Sequence, residues 1–266
     1  MNLKIISFNI RYDKPDPDQY NWQVRKKAIA ALINYYRPDL MGTQEGKPHQ
    51  LADLRDLLPN YASVGQDRDG TGDSETCAIF YHQQRLNCLE TQDFSLSETP
   101  AISGSMTPSW GNRHARIVTW ATFTPRNRNH RFALFNTHFS YRSSLAREFS
   151  AKLICDRLGL VSPQIYLFVT GDFNCPPEKY PRQILLQPLR NGLQLADALA
   201  QLPRSQQLTY NNFSDQATAP IDTIYCDRRV KIQDIFVATQ QWQGVIPSDH
   251  FPVVGTFRLP AAQTLK

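Results

Sequence analysis

Four apolar segments of the sequence are each followed directly by one polar or titratable side chain. The segments, with the residue that follows each, are residues 4–8 with Asn9, residues 39–44 with Glu45, residues 132–137 with His138, and residues 165–171 with Asp172. Each polar residue, taken alone, could simply begin a turn. Strand ends that meet in one cleft explain the set better, because strand ends in layered folds are rigid and open to solvent. We therefore predict that these four side chains lie together.

The segment VTGDFNCPP, residues 169–177, follows the most apolar run of the chain. It carries Asp172 and Asn174, two positions apart. In an extended chain residues i and i+2 point to the same side, so both side chains are expected to face the cleft. Pro176 and Pro177 stop further strand pairing and stiffen the exit, which suits a site whose geometry must hold to about half an ångström.

Two further carboxylates lie near the C-terminus. Asp222 sits inside the apolar segment PIDTIY, and Asp249 precedes His250 in SDH. A buried carboxylate without a partner is costly, so we expect Asp222 to pair with a histidine or another donor. Asp249 and His250 alone could equally form a capping or hydrogen-bonding pair.

These candidates are carboxylates, carboxamides and imidazoles, without a cluster of thiolates. Hard oxygen ligands favour Mg²⁺ or Mn²⁺ over zinc. A cleft with such a cation, a base and imidazoles is suited to hydrolysing phosphate esters. The metal neutralises phosphoryl charge, the base activates water, and an imidazole contacts the developing charge. The sequence therefore predicts a Mg²⁺-dependent phosphoesterase, with Mn²⁺ as the alternative ion.

Short apolar segments bounded by Gly, Pro, Asn or Asp predict the strands that must position these groups. The predicted strands cover residues 3–10, 39–43, 77–81, 116–123, 132–136, 165–169, 221–226, 230–238 and 251–257. Helical spacing predicts helices over residues 22–36, 48–58 and 145–158. Strands outnumber helices and several follow one another directly, so two packed sheets with outer helices fit better than a doubly wound parallel sheet. The long loop over residues 95–114 is typical of a functional or mobile segment.

The composition is that of a globular protein. Of 266 residues, 41% are hydrophobic and 20% charged, which argues against disordered and fibrous classes. The net charge of +5 is compatible with an anionic substrate but does not by itself indicate nucleic acid. Five scattered cysteines argue against a disulfide framework or a zinc site. We find no apolar leader and no transmembrane segment, so we expect a cytoplasmic location.

Six short motifs, in this order, resemble the endonuclease/exonuclease/phosphatase superfamily. They are SFN (7–9), QE (44–45), TH (137–138), GDFN (171–174), ID (221–222) and SDH (248–250). The superfamily contains deoxyribonuclease I, exonuclease III-type repair enzymes, inositol polyphosphate 5-phosphatases, neutral sphingomyelinases and deadenylases. Any one motif is weak evidence, whereas six in order are specific. FNIRYD (8–13), NWQVRK (21–26), SETP (97–100) and HFPVV (250–254) look most like compact bacterial members. The resemblance implies a four-layer α/β sandwich, two central mixed β-sheets flanked by helices, as a single domain over residues 1–266.

The resemblance also implies roles around the metal. Glu45 would be the principal metal ligand, with Asn9 and Asp249 near the metal directly or through water. Asp172 would deprotonate or orient the attacking water, and Asn174 would hold that water or the phosphate.

Further roles concern the imidazoles and the substrate. His250 would contact a phosphoryl oxygen and be oriented by Asp222. His138 would be the second imidazole, and Glu75 resembles the carboxylate that pairs with it in deoxyribonuclease I. Arg116, after the long loop, resembles the family's phosphate-side arginine.

For the reaction, the resemblance implies hydrolysis of a phosphodiester, in nucleic acid or in a small molecule, by a monomer. The alternative is a phosphomonoesterase or a hydrolase of phospholipids or sugar phosphates, because only the leaving-group pocket decides between them. A non-catalytic binding module is disfavoured, since a retired site has no need of so many costly polar groups. Trp22, Trp110, Tyr141 and Phe173 could stack on a base or sugar, although such aromatics are often core residues.

Overall fold

The computed structural model describes residues 1–127 and 130–260, in which two six-stranded sheets pack together. The strands are β1 (Asn2–Asn9), β2 (Leu40–Gln44), β3 (Tyr61–Val64), β4 (Ile79–His82), β5 (Leu86–Ser95), β6 (Ile117–Pro125), β7 (Phe132–His138), β8 (Tyr166–Asp172), β9 (Leu195–Asp197), β10 (Asp222–Asp227), β11 (Lys231–Val237) and β12 (Val253–Arg258). The helices are α1 (Trp22–Tyr36), α2 (Pro48–Leu57), α3 (Ser144–Leu158) and α4 (Tyr180–Ile184). Short 3-10 segments lie at Asp18–Tyr20, Pro108–Trp110, Ala198–Gln201 and Arg204–Gln206.

Each sheet has one parallel pair of strands at its centre. The first sheet has the order β11-β12-β1-β2-β4-β3, and the second has the order β5-β6-β7-β8-β10-β9. β1 is parallel to β2 and β7 is parallel to β8, while the other neighbours are antiparallel. Both sheets are therefore mixed, as predicted.

Three apolar clusters define the layers. One lies between the sheets and includes Ile5 of β1 and Phe168 of β8. A second joins the outer face of the first sheet, at Ile6, to α1 and α2. The third joins the outer face of the second sheet, at Val169, to α3 and α4. Successive residues of β1 and β8 thus face different cores, which explains why these strands are apolar without alternation. The four-layer α/β sandwich is confirmed.

The helices begin and end where local signals predict. α1 has the predicted bounds: the Asn21 side chain accepts a hydrogen bond from the N–H of Gln23, and the helix ends at left-handed Arg37, with φ of 48°. Pro38 follows and disfavours a longer helix. In α3, the Ser143 side chain accepts from the N–H of Ala146.

The predicted set of strands is incomplete at the sheet edges. β3, β5 and β9 were not predicted, and each lies at the edge of its sheet. The middle of β5 is largely exposed, so its sequence lacks the apolar run that indicates a buried strand. β12 begins at Val253 rather than Phe251, because the N–H of Phe251 donates to the carbonyl of Thr209 outside the ladder.

A buried polar network joins the two sheets beneath the strand ends. The amide of Asn136 in β7 donates to the backbone carbonyls of Thr43 and Ala78 at 2.8 and 2.9 Å. Its Oδ1 accepts from Gln44 at 2.7 Å and from Thr170 at 3.0 Å. One carboxamide thus satisfies backbone and side-chain groups of both sheets, which fixes their separation below the candidate site.

The five cysteines are all free. Within residues 1–127 and 130–260, no helix combines the length and the apolar character needed to cross a bilayer.

Candidate active site

Four strand ends from both sheets meet at one edge of the sandwich. Asn9, His138 and Asp172 are the last residues of β1, β7 and β8, and Glu45 directly follows β2. Because the central pairs are parallel, these ends fall on the same edge of each sheet. Nδ2 of Asn9 donates to Oε1 of Glu45 at 3.0 Å and to Oδ2 of Asp172 at 3.1 Å. The structure therefore brings the four predicted side chains together.

Asp172 lies at the centre of this group. It is 2% exposed, and its Oδ2 lies 3.4 Å from Nε2 of His138 and 3.9 Å from Nε2 of His250. Burial, followed by the charge of Asp222, raises the pKa of Asp172 to about 7. A carboxylate that titrates near neutral pH is suited to accepting a proton from water.

Asp222 and His250 form a buried pair beside it. β10 runs antiparallel to β8 and places Asp222 directly opposite Asp172. Nδ1 of His250 lies 2.8 Å from Oδ2 of Asp222. Burial disfavours the charged imidazole, but the charge and hydrogen bond of Asp222, with the charge of Asp172, outweigh it and raise the pKa of His250 to about 10. His250 is therefore a cation at neutral pH.

His138 has the opposite character. Burial, followed by the charges of Arg116 and Arg68, lowers the pKa of His138 well below its usual value. Its imidazole is neutral at pH 7 and can serve as a metal ligand or a hydrogen-bonding group. The site thus combines one neutral and one charged imidazole on either side of Asp172.

Asn174 departs from the extended geometry expected from the sequence. Its φ is +50°, and its backbone N–H donates to Oδ1 of Asp172 at 2.9 Å. Its Nδ2 donates to the carbonyl of Phe139 at 3.0 Å. The expectation that Asp172 and Asn174 point to the same side of an extended chain is wrong. β8 ends at Asp172, and the chain then forms a turn that the Asp172 carboxylate stabilises by accepting this hydrogen bond. Asn174 still lies beside Asp172.

Asp249 forms an ion pair with Arg11 at the site. Nη1 of Arg11 lies 2.5 Å from its Oδ2. The N–H of Arg11 in turn donates to Oδ1 of Asn9 at 2.9 Å. Within the described part of the chain, neither group of closely spaced potential ligand atoms includes Asp249. Arg11 is thus the partner of this carboxylate, and the expected position of Asp249 near the metal, directly or through water, stays a prediction.

Glu75 pairs with an arginine rather than with a histidine. Nη1 of Arg68 donates to its Oε2 at 2.7 Å. Among residues 1–127 and 130–260, no hydrogen bond or ion pair joins Glu75 to His138. This corrects the expected pairing: Arg68 belongs to the same loop as Glu75 and lies closer. Arg116 lies at this end of the site, where it lines a crevice with Glu45, and its contact with the phosphate stays a prediction.

The aromatic candidates divide by burial. Trp110 is 7% exposed and stacks on Phe149 with ring centroids 4.9 Å apart. Trp22 and Phe173 are buried in the outer clusters on α1 and α3. The expected stacking role is therefore corrected for these three, whose rings pack within the protein. Tyr141 alone among the four is exposed, at 53%.

The cluster has the donor chemistry for a divalent cation. Glu45, His138 and Asp172 each present a ligand atom, and these atoms all lie within 4.8 Å of one another. Hydrogen bonds from Asn9 and from the N–H of Tyr12 hold the two oxygens of Glu45. The charge of Glu45 also raises the pKa of Asp172. A cation between these carboxylates would remove that repulsion, so the residues fit a hard divalent metal.

A comparison with protein families identifies the group to which this arrangement belongs. The profile described as the Endonuclease/Exonuclease/phosphatase family matches residues 6–250. The chain belongs to this family. The matched range begins in β1 and ends at His250, so it includes every strand end of the cluster. As a member of the family, the chain is a hydrolase of phosphate esters.

Solved structures of other proteins have the same fold. An endonuclease/exonuclease/phosphatase protein from Bacteroides vulgatus is 29% identical, with a TM-score of 0.89 over 98% of this chain and 100% of that chain. A mannosyl-6-phosphatase from Bacteroides thetaiotaomicron is 28% identical, with a TM-score of 0.83 over 96% and 99%. TDP2 from D. rerio, complexed with single-strand DNA product, is 18% identical, with a TM-score of 0.76 over 97% and 99%, and shares the fold alone.

Three residues of the site were not singled out from the sequence. Arg11 and Arg68 pair with site carboxylates, and the ring of Tyr210 packs edge-on against His250 at 5.2 Å. Arg11 could have been found from the sequence, because it lies two positions after Asn9 within the motif FNIRYD (8–13). No sequence pattern indicates Arg68 or Tyr210, because their loops reach the site only through tertiary contacts.

Proposed function

We propose that this chain hydrolyses phosphate esters by attack of a water molecule that Asp172 orients and deprotonates, beside a bound divalent cation. The observation that carries the proposal is the position of Oδ2 of Asp172. It lies 3.1 Å from the amide of Asn9, and 3.4 and 3.9 Å from the imidazoles of His138 and His250. A base and two imidazoles of different charge thus converge on one point.

In the proposed reaction the water oxygen forms a bond to phosphorus while the bond from phosphorus to the leaving oxygen breaks. The proton of the water passes to Asp172, and the departing oxygen takes a proton from solvent. His250, charged and held by Asp222, is placed to donate a hydrogen bond to a phosphoryl oxygen as negative charge develops there. Burial raises the pKa of Asp172 to about 7 in the metal-free chain, and a cation at Glu45 would lower it, so the carboxylate would be ionised and able to accept a proton at neutral pH.

Glu45 is the proposed principal ligand of Mg²⁺, with Mn²⁺ as the alternative ion. Asp172 and His138 supply the nearest further ligand atoms. Asn9 keeps the Glu45 carboxylate in place. A bound divalent cation would neutralise charge on the phosphoryl oxygens and orient the ester.

Two substrate classes fit this chemistry, because the leaving group lies outside the cluster. The first is the phosphodiester expected from the sequence, in nucleic acid or in a small molecule. The second is a phosphomonoester of a sugar, which is favoured by the 28% identical relative described as a mannosyl-6-phosphatase. The net charge of +5 suits either anion.

A substrate panel tests the proposal. The purified chain is incubated with single-stranded DNA, small phosphodiesters and sugar phosphates, each with Mg²⁺, Mn²⁺ or EDTA. We expect hydrolysis of at least one class with metal and loss of hydrolysis in EDTA. Unchanged turnover in EDTA would contradict the metal assignment. A panel without any hydrolysis would contradict the proposed function.

We also propose that the chain functions as one domain. Asn9 and Glu45 come from the first sheet, whereas His138 and Asp172 come from the second. Neither sheet alone holds the cluster, so neither half of the sandwich should hydrolyse an ester when produced separately.

A further inference from the structure

A narrow crevice opens at the Glu45 and His138 side of the cluster. Arg68, Glu75 and Arg116 form its other wall, and we call these three residues the arginine niche. The free space is about 10 Å³. That is roughly the space of one water molecule or one phosphoryl oxygen.

Arg116 is a buried cation without an acidic partner. It is 5% exposed. Within residues 1–127 and 130–260, its guanidinium forms no hydrogen bond and no ion pair, and only longer-range charges act on it. Its nitrogen atoms are not among the polar atoms that are fully buried without a partner, so they keep access to the crevice. Its donors are therefore available to an anion that enters the crevice.

Arg68 is only partly satisfied. Its Nη1 donates to Glu75 at 2.7 Å, but its Nε is buried without a hydrogen-bond partner. The niche thus holds two guanidinium groups and one carboxylate. Glu45 is the other carboxylate that lines the crevice, and it is held by Asn9 and Tyr12 within the proposed metal site. One positive charge of the niche is left over for a ligand.

The loop that carries Arg68 is fixed in place. The side chain of Asp67 accepts hydrogen bonds from three backbone N–H groups of the loop, at 2.7 to 3.3 Å. The N–H of Arg68 donates to the carbonyl of Glu75 at 2.9 Å, and the N–H of Thr76 donates to the carbonyl of Gly46 at 2.8 Å. The niche is therefore preformed against the end of β2, and its size is a property of the folded chain.

We propose that the arginine niche receives one terminal oxygen of the scissile phosphate and thereby selects phosphomonoesters over phosphodiesters. This inference rests on the proposed function and names the substrate class of the same site. A phosphomonoester has three terminal oxygens and up to two negative charges. A phosphodiester has two terminal oxygens, one negative charge and a second ester carbon. Space for one oxygen admits the third oxygen of a monoester but excludes that carbon.

The test compares 4-nitrophenyl phosphate with methyl 4-nitrophenyl phosphate, which share a leaving group and differ by one methyl group. We expect kcat/KM of the unmodified chain to be at least about 100-fold higher for the monoester. Arg68→Gln and Arg116→Gln should each lower kcat/KM for the monoester by about 10- to 100-fold, as loss of a charged hydrogen bond does. The diester rate should change by less than about 3-fold.

Two further variants serve as controls. Arg204→Gln removes an exposed arginine that pairs with Glu178 far from any proposed role, and it should change neither rate. Arg116→Lys keeps the buried charge, so it should retain more monoester activity than Arg116→Gln and guards against loss of folding. Equal losses for both esters in the niche variants, or a preference of the unmodified chain for the diester, would overturn the inference.

Binding measurements separate the niche from the reaction. Titration calorimetry with Mg²⁺ present should show inorganic phosphate binding at least about 10-fold more tightly than dimethyl phosphate. Arg116→Gln should remove this difference. Absence of hydrolysis together with the binding preference would refute the proposed function and support the niche. Equal binding of the two anions to the unmodified chain would refute the niche, whatever the turnover.

Discussion

Asn9 of the first sheet donates a hydrogen bond of 3.1 Å to Asp172 of the second sheet, across 163 positions of the sequence. The same amide donates to Glu45 at 3.0 Å. One neutral carboxamide therefore sets the distance between the proposed metal ligand and the proposed base without adding charge between them. The Asn136 network below it holds the two sheets at the separation that this contact requires.

Replacing Asn9 should impair catalysis by misplacing both carboxylates. We expect Asn9→Ala to lower kcat/KM by about 10- to 100-fold, because small displacements of reacting groups have effects of this size. Asn2→Ala, at the exposed start of the same strand, is the matched control and should leave the rate unchanged. Initial rates on the best ester of the panel provide the measurement, and full activity of Asn9→Ala would refute the positioning role.

Replacing Asp172 should separate catalysis from stability. Asp172→Asn should lower kcat by about 10²- to 10⁴-fold, because the variant lacks the proposed base. The same change should lower the free energy of unfolding of the metal-free protein by no more than about 1–3 kcal/mol, because Asp172 accepts hydrogen bonds from Asn9 and Asn174 on its two oxygens and the amide can keep only one of them. Single-turnover rates and urea unfolding in EDTA measure the two effects, with Asp156→Asn on the exposed face of α3 as the control. A near-normal kcat would remove Asp172 as the base.

Much of the fold could be predicted because its central strands are buried over most of their length and carry apolar residues toward both of the cores that they border. Ile5 and Ile6 are neighbours in β1 but face different cores, and both are fully buried. Such segments stand out in any sequence. β3, β5 and β9 do not, because an edge strand has fewer neighbours and retains exposed polar residues.

The site could be predicted only as far as strand ends determine it. Glu45 directly follows β2 and Asp172 is the last residue of β8, so their positions depend on the sheets. The partners of Glu75 and Asp249 are arginines in loops, at Arg68 and Arg11. Those contacts depend on how the loops pack against the site, and this packing cannot be predicted from the spacing of residues along the chain.

The stability of the metal-free protein should fall as the pH rises above neutral. The pKa of His250 is about 10 in the folded chain, against an ordinary value of 6.5. The folded chain therefore keeps a proton that the unfolded chain loses between these values. The stabilisation is complete below pH 6.5 and is lost as the pH approaches 10, with a slope of at most about 1.4 kcal/mol per pH unit.

Asp172 also makes the stability fall as the pH rises, but over a lower pH range. That range lies between its ordinary pKa of 3.8 and its pKa of about 7 in the folded chain. Measurements between about pH 7 and 8.5 lie above the range of Asp172 and below the ordinary value of 9.0 for Cys77, Cys155 and Cys226, whose pKa burial raises, so they report on His250. The experiment is urea unfolding in EDTA over that range, for the unmodified chain and for Asp222→Asn. The variant loses the charge and hydrogen bond that hold the proton on His250, so its slope should be flatter. Equal slopes would show that Asp222 does not hold that proton.

Trp110 and Tyr141, two of the aromatic residues considered for stacking on the substrate, should respond differently to truncation. Trp110 is 7% exposed and stacks on Phe149, so Trp110→Ala should lower the free energy of unfolding by about 3–5 kcal/mol. Tyr141 is 53% exposed, so Tyr141→Ala should change it by less than about 0.5 kcal/mol. If Tyr141 contacts the leaving group, as predicted from the sequence, its truncation should raise KM several-fold at constant stability. Urea unfolding and steady-state kinetics of both variants provide the measurements. An unchanged KM for Tyr141→Ala would show that Tyr141 does not contact the leaving group and only packs against Arg142 at the surface.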